Sequence, residues 1–305
     1  MHIRASRTAG LLVGLVLAAV GLGTVTGCGS EQVAGSRQDA VADAKARAQR
    51  ARKVAAAWDG SAAAAAWRAG YHPLGDVIQL PRGGLRSEGE RRALQGRMLV
   101  LRGALPGTGP EDGRVTWAGG DSLTRPLVGA KESYESMAGP PARGKPHLTV
   151  TGAKPGEMTV ATSRGPATVP AWLFTLDGYD SPLKRAAVVP SKLPEPPIRR
   201  ARGVPGLPLH GLFRTTPDGR SVTVDALHGA CDDGAVVSVL ETRGSVVLWS
   251  AVRKREDVGL CTDQAISQQV TVKLDRPVGD RVLLDSITGR PVPYRPLRGP
   301  TANWS

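Results

Sequence analysis

Two groups of residues in this 305-residue chain have types and spacings that could do chemistry. One is Gly120-Asp121-Ser122-Leu123 taken with Asp225-Ala226-Leu227-His228. A serine hydroxyl becomes a nucleophile when an imidazole accepts its proton and a carboxylate orients that imidazole, so Ser122, His228 and Asp225 supply the three side chains required. The other group is the cysteines, Cys28, Cys231 and Cys261. A thiol at the end of an apolar leader is a site for acylation. Two further thiols, with no Cys-x-x-Cys pair and no zinc-ligand spacing around them, are most simply a disulfide of an oxidising compartment.

The tetrapeptide Gly120–Leu123 reproduces the motif that names the GDSL esterase/lipase family, and residues 225–228 match its Asp-x-x-His. The resemblance implies Ser122 as nucleophile, His228 as base and Asp225 as its orienting group. Three features depart from that family. Its hydrolases place an Asn in the oxyanion site, whereas Asn occurs here once, at Asn303. Its fold alternates strands and helices, whereas this region reads as β runs and turns. Ser122 and His228 also fall on opposite sides of a proline-rich stretch. The spacing therefore predicts an ordinary turn serine, with a surface serine esterase as the alternative function.

The leader is explicit. Arg4 and Arg7 precede an apolar run over residues 9–23, too short for a ~20-residue bilayer span. The run ends in Val25-Thr26-Gly27-Cys28, which resembles the lipobox of bacterial lipoproteins, with Val where Leu is commoner. That resemblance implies a diacylglyceryl thioether on Cys28 and residence on the outer face of the cell membrane.

Bulk properties narrow the partners. The net charge is +13, and most of the excess survives removal of the leader, so anionic partners such as envelope polymers are favoured. The arginines are scattered, without the basic stripe and interleaved aromatics of a nucleic-acid reader, so no nucleic-acid partner is expected. No phosphate-cradling glycine loop follows a strand and opens a helix, and no cofactor or metal is expected. His72, His147 and His210 stand alone and read as structural or solvated. Aromatic residues make up only 4%, leaving Val, Leu and Ala to fill the interior.

The elements around these residues follow from periodicity. Residues 1–27 read as signal peptide and 28–36 as a tether. Residues 37–70 read as helical. Ser36 with Asp39 resembles a capping box, Val41, Ala44, Ala48, Ala51, Ala55 and Trp58 form a narrow stripe, and Ser61 opens a second helix that Gly70 stops. The first helix reads equally well as a stalk or as a helix packed on the body. From residue 71 short apolar runs predict antiparallel strands: 76–80, 97–103, 114–119, 147–152, 157–162 and 167–176. Residues 191–207 read as a proline-rich linker whose Arg199, Arg200 and Arg202 suit a solvated hinge better than a phosphate contact. Residues 208–300 give six more strands, with a hairpin turn at Thr242-Arg243-Gly244. The fold class expected is mainly β: Ala-rich helices, then two β-rich domains over 71–190 and 208–300, the second a β-sandwich.

Segments 55–81 and 162–178, and the C-terminal pattern of Cys231, Cys261 and residues 274–292, are similar to a group of envelope lipoproteins from high-GC Gram-positive bacteria. The resemblance implies the membrane address and the architecture and brings no activity with it. The sequence therefore predicts a non-enzymatic binding or envelope-support protein.

Overall fold

A computed structural model describes residues 30–107, 109, 111–140, 146–255 and 261–295, with side chains from residue 38 onward. The chain divides into two compact units, Met1–Val41 and Ala42–Ser305. The leader and Cys28 lie outside the described residues.

Helix α1 (Ser30–Trp58) begins before the Ser36 cap, so residues 30–36 are helical where a tether was expected. The segment contains no proline, and extending a helix is far cheaper than nucleating one. Val41 of the expected stripe is 68% exposed. In the second unit, Ala51, Val54, Ala55 and Trp58 are buried at i, i+3, i+4 and i+7, the spacing of one helical face. The part of α1 in that unit is packed on the body. Trp58 Nε1 donates to the carbonyl of Gly289 at 2.8 Å, fixing the end of the helix. Helix α2 (Ala62–Ala69) starts and stops as read: Ser61 Oγ accepts from Ala64 N–H, and Gly70 caps the far end.

The body is mainly β. Its first half is a seven-stranded sheet of β1 (Ile78–Gln79), β2 (Leu99–Leu101), β3 (Asp112–Trp117), β4 (Ser122–Pro126), β5 (Leu148–Thr162), β6 (Gly165–Leu176) and β7 (Leu183–Ala186). The long β5–β6 hairpin is its spine. Along β6, Trp172, Phe174 and Leu176 join one buried cluster while Ala167, Val169 and Ala171 join another, because alternate side chains face opposite sides of a strand. The runs at 147–152 and 157–162 are one strand rather than two. Pro155 interrupts the apolar pattern but lies across from Trp172 in the same phase as the Glu157–Pro170 pair, whose Pro170 carbonyl turns away to Ala187 N, so its missing N–H leaves no β5–β6 ladder bond unmade. Two helices that the expectation of strands and turns does not include, α3 (Glu88–Gln95) and α4 (Ala130–Met137), pack on this sheet.

The second half is a sandwich of two three-stranded sheets. One holds β8 (Gly211–Thr215), β9 (Ser221–Gly229) and β12 (Ala265–Lys273); the other holds β10 (Asp232–Glu241), β11 (Ser245–Lys254) and β13 (Val282–Asp285). Their shared core includes Leu212, Val222, Val224, Val246, Leu248, Val272 and Leu283. The hairpin turn at residues 242–244 is confirmed by Thr242 N donating to Ser245 O at 2.9 Å. Val246 and Leu248 of β11 face β9, whereas Val247 faces Val54, Trp58 and Trp67. That double burial explains the unbroken apolar run Val246-Val247-Leu248. The helices thus form a third layer.

Residues 191–207 contain neither helix nor strand. The stretch is nonetheless held at several points. Ser191 Oγ accepts from Tyr71 N–H at 2.9 Å, Ala201 N donates to Ile287 O at 2.8 Å, and Leu207 O accepts from Ser250 Oγ at 2.7 Å. Just beyond it, buried Asp285 accepts from Leu209 N–H at 3.0 Å and from Thr288 N–H at 2.6 Å.

Candidate functional site

Ser122 is the first residue of β4, the last strand along its sheet, and is exposed. Gly120 and Asp121 form the β3–β4 turn: Gly120 N donates to Trp117 O and Trp117 N to Asp121 O, each at 2.9 Å. Gly120 has φ +90°, in the left-handed region that favours glycine. Asp121 pairs with Arg164 at 2.8 Å, and that guanidinium lies 3.9 Å from the centre of the Trp117 ring. Each part of the tetrapeptide thus serves the hairpin: the glycine turns it, the aspartate holds Arg164, and the serine starts the strand.

Asp225 and His228 both lie on β9, which pairs with β12 residue for residue from Ser221 to Gly229 without a bulge. Three residues apart on a regular strand, their side chains project from opposite faces. Asp225 therefore cannot orient the His228 ring. His228 Nδ1 instead meets the carbonyl of Gly229 at 2.9 Å.

Asp225 has other partners. Its Oδ2 lies 3.0 Å from His210 Nδ1, and its Oδ1 accepts from Ser267 Oγ. His210 Nε2 faces Arg295 Nη1 at 3.3 Å. The reading of His210 as a solitary side chain is corrected: the β8–β9 register sets Gly211 opposite Asp225 and brings His210 alongside. Nothing short of that register could have revealed the pair. The order of groups matters chemically. A serine hydrolase places imidazole between hydroxyl and carboxylate. Here the carboxylate stands in the middle, so Ser267 donates to Asp225 and the imidazole takes no proton from it.

Cys231 and Cys261 are brought together as a disulfide pair, with Cα atoms 5.8 Å apart and a sequence separation of 30. The β9–β12 register explains the meeting. Gly229 pairs with Ala265, and Ala230 N continues the ladder to Gln264 O at 3.0 Å. The pair therefore ties the β9–β10 turn to the chain entering β12. Asp232 closes the same turn, accepting from Gly229 N–H at 2.7 Å and meeting Lys254 at 3.1 Å. The Gly229 amide, ahead of Lys254, holds its carboxyl below the usual range.

Among the described residues, no group of three or more His, Cys, Asp or Glu side chains is placed to hold a metal ion. No described helix is long and apolar enough to cross a membrane. Among the described residues, one shallow cavity is lined by Arg199, Arg200, Ala201 and Arg202, and another by residues that include Arg82, Arg86 and Asp180. Compared with models of protein families, with curated proteins and with solved structures, the chain gives no match.

Proposed function

We propose that the chain is an extracytoplasmic lipoprotein, anchored by acylation of Cys28, whose β-rich body binds or supports envelope components without catalysing a reaction. The observation that carries this reading is the partition of the three cysteines. Cys231 and Cys261 face each other as a bonded pair, a state that persists outside the reducing cytoplasm. Cys28 is left over, behind an apolar leader whose last residues resemble a lipobox. Two or more acyl chains give durable attachment where a single chain is marginal. The separation of Asp225 from His228 across β9 supports the non-enzymatic half of the proposal. The partners are the membrane through Cys28, anionic envelope polymers through the positive charge, and a protein or small-molecule ligand whose class the fold does not select.

The test is labelling with a palmitate analogue in a host that processes lipoproteins. Wild type should take up label and partition into detergent, and Cys28→Ala should do neither. A mature wild-type protein with a free Cys28 thiol, or one cleaved beyond Cys28, overturns the proposal.

A further inference from the structure

We propose that the stretch 190–208, with Arg47 of α1 beside it, is a docking face for an anionic phospholipid surface. The proposal deepens the membrane reading by assigning part of the body, rather than the acyl chains alone, to the lipid. Three observations carry it.

The first is charge without compensation. Arg199, Arg200 and Arg202 are exposed, and among the described residues none of them has an ion-pair partner. Glu195 is the sole acid between residues 190 and 208. Arg47 adds a further cation, its Cδ within 3.7 Å of where a Cβ on Gly206 would stand. Residues 45–53 of α1 carry five cations and no acid.

The second is rigidity. Arg50 Nη2 donates to the Arg199 carbonyl at 2.5 Å and its Nε to Ser286 O at 2.8 Å, while Leu193 and Ile198 pack on the cluster around Trp58. With the Ala201 and Leu207 backbones also bonded to the sandwich, the arginines are presented without backbone ordering at the moment of binding.

The third observation selects lipid over a soluble polyanion. Leu207 is 44% exposed in this cationic stretch although its backbone is pinned to Ser250. A polyphosphate chain gains nothing from an outward leucine. A bilayer interface takes cations at the headgroup phosphates and an apolar tip just beneath them.

The experiment is flotation of the mature chain, residues 28–305 carrying Cys28→Ser so that neither the apolar leader nor an acyl chain contributes, with phosphatidylcholine vesicles containing or lacking phosphatidylglycerol. Binding should be stronger to the anionic vesicles and should weaken as salt rises. Each arginine is worth about fivefold in affinity. The triple variant Arg199→Gln, Arg200→Gln, Arg202→Gln should therefore lose on the order of 100-fold, with an unchanged thermal transition showing that it folds. Leu207→Ser should weaken vesicle binding and leave retention by soluble polyphosphate unaltered. Equal binding to both vesicle types, or an unaffected triple variant, overturns the proposal. So does vesicle binding that Leu207→Ser leaves unchanged, or polyphosphate binding as strong as vesicle binding. The palmitate experiment on Cys28 is read separately: a free thiol there refutes the anchor and leaves the vesicle comparison standing.

Discussion

Arg281 Nη1 meets Glu241 Oε2 at 2.7 Å, with the two side chains only 4% and 12% exposed. The remaining atoms of both groups are also engaged. Arg281 Nη2 donates to the carbonyls of Arg276 and Pro277, and Glu241 Oε1 accepts from Asp275 N–H. The pair therefore binds the loop between β12 and β13 to the end of β10.

Removing one partner should leave the other charged and buried, which costs about 3–5 kcal/mol. Arg281→Met and Glu241→Gln are each expected to lower the thermal transition strongly. The double replacement should recover much of the loss, because no buried charge is then left alone. Burial raises the Glu241 carboxyl, but the Asp275 amide and Arg281 outweigh it, so the group titrates below its ordinary range. Its contribution is present above about pH 4.5 and lost as pH falls through the lowered value. Chemical denaturation at successive acid pH values, with Glu241→Gln for comparison, checks this.

His72 predicts a second acid limb at higher pH. The ring is fully buried and stacks on Trp67, with centroids 4.1 Å apart and planes 6° from parallel. Burial, and then repulsion from Arg125, lower its pKa from 6.5 to about 4. An unfolded chain binds this proton between those values while the folded chain refuses it. Stability should be complete above about pH 6.5 and decline toward pH 4, by about 3 kcal/mol in all. His72→Phe keeps an aromatic ring in the stack and should flatten that limb. An unchanged slope in the variant would show that other groups set it.

The Cys231–Cys261 bond closes a 30-residue separation, and the chain-entropy model gives about 3–4 kcal/mol for a loop of this size. Peptide mapping without reductant should recover the two cysteine peptides joined. The paired substitution Cys231→Ser, Cys261→Ser should lower the unfolding free energy by that amount while leaving β content intact. Two free thiols in exported protein would count against the bond.

Much of this architecture was legible because side-chain period reports burial. Alternation along residues 221–228 and the continuous apolar run in β11 locate the sandwich strands, and Ser61 and Gly70 bracket α2. What escaped reading had weak or contrary local signals. Helix α3 has little apolar character, but Ser87 and Glu90 form a reciprocal capping box that marks its start. Strand β4 was hidden because Ser122–Pro126 is an edge strand with no buried residue. The Asp225–His210 contact was illegible for a different reason: it depends on strand register, which the spacing of residues along the chain does not encode. A three-residue spacing suggests proximity on a helix, and on β9 the same spacing puts Asp225 and His228 on opposite faces.

That geometry leads to the last prediction, which concerns Ser122. A nucleophilic serine needs a base within roughly 3 Å, although unliganded sites can be looser, and preorganised donors for the oxyanion, each worth on the order of 10²–10³ in rate. Ser122 opens an exposed edge strand that runs into Pro126, where a family nucleophile would open a helix. Its neighbour Gly120 has open space around its missing Cβ, so its role is the backbone conformation alone. Gly120→Ala should cost about 1–2 kcal/mol through the turn. Ser122→Ala should stay within about 0.5 kcal/mol of wild type. The purified protein should not react with a fluorophosphonate probe, and short-chain ester turnover should equal background with or without Ser122. Labelling at Ser122 that disappears in His228→Ala would reverse this conclusion, because it would require two residues on strands of separate sheets, β4 and β9, to meet.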